Sequence, residues 1–111
     1  MEKPLNILLA DDDKDDRFFF NKVLLELSIT TRLKTVEDGA LLMQYLSDNP
    51  KNLPDVLFLD LNMPKKNGAE CLEEIKKNAL LKHLPVVIYS TSLHEDIAEQ
   101  LFTKGAHFYL K

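Results

Sequence analysis

The stretch "LLADDDKDDR" sets five aspartates, Asp11, Asp12, Asp13, Asp15 and Asp16, directly behind an apolar run. A second apolar run, "DVLFLD", closes on Asp60, and a third, "PVVIYS", leads into Ser90-Thr91-Ser92. A more polar run, "RLKTV", ends at Glu37-Asp38. Carboxylates that converge on one small volume raise each other's pKa unless they share a cation. An oxygen-only donor set suits Mg²⁺, which keeps several waters and takes one or two carboxylates beside a substrate phosphate. A calcium loop is excluded. Counted from Asp11, the turn position that needs glycine holds Asp16, and the place of the bidentate glutamate holds Lys22.

The acids are useful only if the fold gathers them. "LNILLA" (5–10), "DVLFLD" (55–60) and "PVVIYS" (85–90) are short and continuously apolar, as strands buried on both faces of a parallel sheet are. "RLKTV" (32–36) reads as an edge strand, and "HFYLK" (107–111) as a short fifth strand. Helical spacing fills the gaps. In 14–28, Phe20, Val23, Leu24 and Leu27 make one apolar face; in 38–48, Leu42 groups with Tyr45 and Leu46. In 67–79, Leu72, Ile75 and Ala79 form a stripe, and in 94–104 Ile97 and Leu101 lie one turn apart before Gly105. Alternating strands and helices call for an α/β fold with a parallel sheet and right-handed crossovers. Ligands in such sheets bind beyond the carboxyl ends of the strands. If the first and third strands are neighbours, Asp11, Asp12 and Asp60 meet there.

Composition narrows the function classes. At 111 residues, 45% hydrophobic and 29% charged, the chain reads as one soluble domain. A net charge of −4 argues against direct nucleic-acid binding, since no basic stripe is present to neutralise phosphates. Cys71 is the sole cysteine, which excludes an internal disulfide and fits a cytoplasmic protein. The apolar run in "MEKPLNILLA" is too short for a signal peptide or a membrane span.

Taken in order, "ILLADDD", "LFLDLNMPKKNG", "PVVIYSTS" and "GAHFYL" resemble the receiver domain of two-component response regulators over nearly the whole chain. The resemblance implies a doubly wound, flavodoxin-like five-stranded parallel sheet in the order 2-1-3-4-5, with strands one and three adjacent. It makes Asp60 the phospho-acceptor and a member of the Mg²⁺ site. Asp12 would be a direct ligand, Asp11 a partner through water, and the Asn62 backbone carbonyl a further ligand. Ser90 takes the hydroxyl switch position, Tyr109 the aromatic switch position, and Asn62 and Ser92 tune water access to the phosphoryl group. The implied partners are a sensor histidine kinase or histidine phosphotransfer protein and a downstream protein target, with no membrane. The implied chemistry is phosphoryl uptake with slow self-hydrolysis, for which enzyme is a marginal label.

Other residues have plainer readings. Asp13 caps the first helix, and Asp15 and Asp16 lie in its first turn, where negative charge is favoured by ~0.3–1 kcal/mol each. Cys71 is a small core residue, and Lys65 and Lys66 are solvated loop residues. His83, His94 and His107 share no metal spacing, and the three phenylalanines at 18–20 cannot all face one core.

The chain also departs from the family pattern. The family's lysine stands three residues after the switch tyrosine, one position beyond Lys111, and an early lysine points to the opposite sheet face. The fifth helix is missing, so the reading is a receiver domain over 1–111, truncated at its C-terminal end and without an output domain. Apolar side chains of the central strands and part of the phenylalanine triplet would then meet water, to be covered by further chain or by a second copy in a homodimer. Two rivals remain. A haloacid-dehalogenase-like phosphohydrolase also uses a strand-end aspartate, but needs an acid where Asn62 stands. A receiver-like interaction module that is never phosphorylated is the other.

Overall fold

The structure, a computed structural model, describes residues 3–61, 63 and 65–88, with the backbone of 89 and 108–110. In chain order the elements are β1 (Leu5–Ala10), α1 (Lys14–Leu25), β2 (Thr31–Val36), α2 (Gly39–Asp48), β3 (Val56–Asp60), α3 (Gly68–Lys77), β4 (Val86–Tyr89) and β5 (Phe108–Leu110). The five strands form one sheet in the order β2-β1-β3-β4-β5, and every neighbouring pair is parallel. This is the expected architecture, with the polar strand β2 on an edge. The expected helix over 94–104 lies outside the described residues.

Side-chain alternation divides the sheet into two faces. Leu8, Ala10, Leu57, Leu59, Val86 and Ile88 point to one face, all with 0% exposure. They meet Leu42 and Leu46 of α2 and Cys71, Leu72 and Ile75 of α3 in one cluster. Ile7, Leu9 and Val87 occupy the other face. There Phe20 of α1 meets Phe58 edge-on, ring centroids 4.9 Å apart at 66°.

Three expectations are corrected here. The first helix ends at Leu25, capped by Glu26, so Leu27 falls in the following turn and is exposed. Of its expected apolar face, Leu24 is buried and Phe20 half-buried, while Val23 is exposed. The third helix ends at Lys77, which leaves Ala79 exposed, and Cys71 takes its place in the stripe. The central strands are also better covered than expected, since Ile7, Leu9 and Val87 are buried. Phe18 at 71% and Phe19 at 67% do meet water, because they lie on the outer side of α1.

Both loops beside the strand ends depend on close backbone approach. A Cβ at Gly68, the first residue of α3, would stand 2.6 Å from the Asp60 carbonyl oxygen. A Cβ at Gly39, which opens α2, would stand 2.0 Å from the Lys66 carbonyl oxygen and 2.8 Å from Cys71 Sγ. The helix starts are set by side chains. Asp13 accepts from the amides of Asp15 and Asp16, Asp38 accepts from Leu41, and Asn67 with Glu70 closes a capping box on α3. Asp16 departs from the dipole expectation. Burial, then the charges of Asp11, Asp13, Asp12 and Asp15, push its carboxyl above the ordinary range. Burial is the larger cause, and the neighbouring charges add to it.

Two outcomes are expected. Gly68→Ala should destabilise the chain by about 1–3 kcal/mol in urea denaturation, because the clash is with backbone that cannot rotate away. An unchanged midpoint would mean that the loop yields freely. Asp16 is more basic folded than unfolded, so its stabilising share is full at acid pH and is lost as pH rises through its folded value. Asp16→Asn should therefore melt higher than the parent at neutral pH in EDTA and low salt. The gain should shrink as pH falls towards the ordinary carboxyl value of 3.8. A gain independent of pH would remove electrostatics as its cause.

Candidate functional site

The site is assembled by strand register. Ala10 of β1 pairs with Leu59 of β3, so Asp11 and Asp60 are the next residues along two adjacent strands. The Asp11 amide donates to the Val36 carbonyl at 3.1 Å and continues the ladder one step past β1. The chain then turns, and the Asp13 amide donates to Asp11 Oδ1 at 2.9 Å. Asp12, exposed at that turn, brings its carboxylate to the same place. One carboxylate oxygen each from Asp11, Asp12 and Asp60 lies within 4.8 Å of the others. Asp11 is 0% exposed and Asp60 8%, so two of the three acids are out of bulk water.

Three oxygen donors at this separation fit a hard divalent cation, with open positions left for water and a phosphoryl oxygen. Charge on buried carboxylates is costly unless hydrogen bonds and opposite charge surround it. Part of that surround is visible. Arg17 Nη1 donates to the Asp11 carbonyl at 2.8 Å, and its other terminal nitrogen lies 3.6 Å from Glu37. Arg17 thus ties α1, the Asp11 turn and the end of β2 together. Sequence reading passed over it. The usable signal was its position one helical turn after the Asp13 cap, facing back towards the strand ends.

The β3–α3 loop is fastened to α2 from two directions. Lys65 stands at φ 66°, a left-handed backbone uncommon for a residue with a side chain. Its ammonium lies 3.6 Å from Asp38, the buried cap of α2. The half-buried Lys66 pairs with Glu74 of α3. The Lys65 side chain is 70% exposed, as the solvated-loop reading expects, and both lysines add a carboxylate partner that the sequence did not show. Cys71 Sγ contacts the Gly39 carbonyl at 3.7 Å, and burial pushes its thiol up to about 12. It is an inert core residue, as expected.

The remaining expected site residues fall elsewhere. Asn62, Ser90, Ser92 and Lys111, along with His94 and His107, lie outside the described residues, as does the side chain of Tyr109. The Tyr109 backbone pairs with Ile88, and Tyr89, which precedes Ser90 in sequence, pairs with Asp60.

Comparison with known proteins follows the same pattern. The family model for the response regulator receiver domain matches residues 7–111. Response regulator Rcp1 of Synechocystis is 40% identical over 99 residues, covering 84% of this chain and 66% of that protein. The probable methanogenesis regulatory protein FilR2 of Methanothrix harundinacea is 30% identical over 112 residues, covering 98% and 72%. The chain thus spans just under two thirds of the first relative and somewhat more of the second. Among solved structures, the phosphorylated cyanobacterial phytochrome response regulator RcpA superposes with a TM-score of 0.90 at 34% identity, over 98% of this chain and 81% of that one. The Mn²⁺-bound form of Rcp1 gives 0.90 at 37% identity, over 97% and 81%. With the family match running from β1 to the last residue, the chain belongs to the response regulator receiver domain family.

Proposed function

We propose that this chain is a phosphorylatable receiver of two-component signalling, with Asp60 as the acceptor. One observation carries the reading. The buried Asp60 carboxylate closes a central strand within 4.8 Å of the Asp11 and Asp12 carboxylates. In the proposed step an Asp60 oxygen attacks the phosphorus of a phosphohistidine on a sensor histidine kinase or phosphotransfer protein. The O–P bond forms as the P–N bond breaks, the electron pair leaves with the imidazole, and that nitrogen takes up a proton. The product is an acyl phosphate on Asp60.

Asp11, Asp12 and Asp60, with the Asn62 backbone carbonyl, are the residues that would hold Mg²⁺. A cation there supplies the positive charge that lets a phosphoryl dianion approach three carboxylates. The phosphorylated state of RcpA and the Mn²⁺-bound state of Rcp1 support this assignment by analogy. Ser90 would bind the phosphoryl oxygens from the end of β4, and Tyr109 would report the change to a surface read by a downstream protein. In this reading residues 1–111 belong to a receiver domain, phosphorylated in the cytoplasm by its kinase, and the chain is a phosphoryl acceptor rather than a turnover enzyme. Asn62 in place of a second acid disfavours the phosphohydrolase alternative. The buried acid cluster disfavours a module that is never phosphorylated.

Treatment with a small-molecule phosphodonor and Mg²⁺ should add one phosphoryl mass to the intact chain. Asp60→Asn should abolish the addition, and undiminished labelling of that variant would exclude Asp60. The metal is tested by titrating Mg²⁺ or Mn²⁺ under calorimetry. Asp12→Ala should weaken binding by about ten-fold or more, whereas Asp15→Ala, a first-turn residue of α1, should change it little. Equal losses would mean that the acidic run collects cations diffusely.

A further inference from the structure

The end of the sheet opposite the acid site carries the reverse charge. A cleft of about 420 Å³ opens there beside the edge strand β2, with Tyr45 of α2 as one wall and the loop 51–54 as its rim. Arg32, Lys34 and Lys51 line it, and no Asp or Glu does. In a chain of net charge −4 this is a local inversion of sign. The register explains two of the three cations. Asn6 pairs with Arg32 and Leu8 with Lys34, so alternation sends both basic side chains to the α2 side of the sheet. Successive same-face residues on a strand stand about 6.6 Å apart, a spacing that spans two anionic oxygens of one ligand.

No described carboxylate forms a salt bridge with Arg32, Lys34 or Lys51. Lys34 lies 5.8 Å from the Tyr45 ring centroid instead. The acid nearest in sequence to the rim, Asp55, is not among the residues that line the cleft, and it accepts from the Asn6 amide at 2.8 Å. Between the cations the half-buried Leu53 and Pro54 offer apolar surface, beside the polar Asn6 and Asn52. The volume of the cleft lies in the range that encloses small organic ligands.

We propose that this cleft binds a small organic anion of nucleotide size. Its phosphate or carboxylate groups lie on Arg32, Lys34 and Lys51, and its flat apolar body lies against the half-buried Tyr45, Leu53 and Pro54. Arginine serves here through its paired donors, which match two oxygens of one anionic group. The cleft residues on β1 are Asn6, Ile7 and Leu8, and Leu8 precedes Asp11 by three residues, about 10 Å along the strand, so the ligand lies apart from the acid site.

The test uses the ¹⁵N-labelled chain in EDTA, titrated with ADP and separately with pyrophosphate. ADP should shift the amides of 31–36 and 51–53 saturably at roughly millimolar concentration or below, and pyrophosphate should bind several-fold more weakly. Arg32→Ala with Lys34→Ala should weaken ADP binding by about ten-fold while the melting temperature holds, since both side chains are exposed. Lys51→Glu, in a loop, should give a comparable loss without touching the sheet. Lys22→Ala with Lys82→Ala removes the same charge elsewhere and should leave binding unchanged. The proposal is overturned by the absence of saturable shifts at the cleft, by equal losses in the two double variants, or by pyrophosphate binding as tightly as ADP.

Discussion

Mutual repulsion among Asp11, Asp12 and Asp60 is the constraint on which the rest of this molecule depends. Two of the three carboxylates are buried, where charge interacts more strongly than in water. Backbone amides, a guanidinium or a bound cation lower the electrostatic energy of such an arrangement. The Asp13 amide on Asp11 and the Arg17 bond to the Asp11 carbonyl supply part of that from within the fold. In the first turn of α1 the Asp16 carboxyl is raised first by burial and then by the charges of Asp11, Asp13, Asp12 and Asp15. Any cation that binds the native cluster and not the unfolded chain also stabilises the fold by mass action.

The parallel sheet makes this concentration of charge achievable. Register between β1 and β3 forces the residues after Ala10 and Leu59 side by side, whatever their charge. Full burial of Leu8, Leu57, Leu59 and Ile88 against α2 and α3 holds that register, because a slip of one residue would turn the apolar set towards the opposite face. The acids sit just past the last buried apolar residues, so hydrophobic packing supplies the rigidity that the site needs. Gly39 and Gly68 extend the same logic to the loops. Each lets backbone pass so close that no side chain fits, and the Lys65–Asp38 pair then links the β3–α3 loop to α2.

Charge is therefore distributed along the strands rather than uniformly. The carboxyl ends carry the buried acids, and the amino ends of β1 and β2 lead into a cleft lined by three cations. The apolar surplus is placed elsewhere again, on the outer side of α1, where Phe18, Phe19 and Leu25 are exposed. One α-helix can bury only one stripe, and in α1 Phe20 and Leu24 take that stripe. Phe18 and Phe19 follow from helical geometry alone.

Much of this was legible in the residues themselves. Unbroken runs such as "LNILLA" and "DVLFLD" have the length and composition of doubly buried strands, and the acids that close them announce a site. Strand order came from resemblance, because hydrophobic patterning carries no information about which strands are neighbours. Helix ends were misjudged where apolar spacing continued past the cap, at Leu27 and Ala79, since periodicity does not register the hydrogen bond that stops a helix. What sequence determined was local: which segments bury, which residues cap, and which acids end strands. Tertiary structure decided what meets across distance, namely Arg17 on the Asp11 carbonyl, Lys65 on Asp38, and Arg32 with Lys34 on the α2 side of the sheet. Those contacts depend on strand register and helix placement, which arise only when the whole core packs at once.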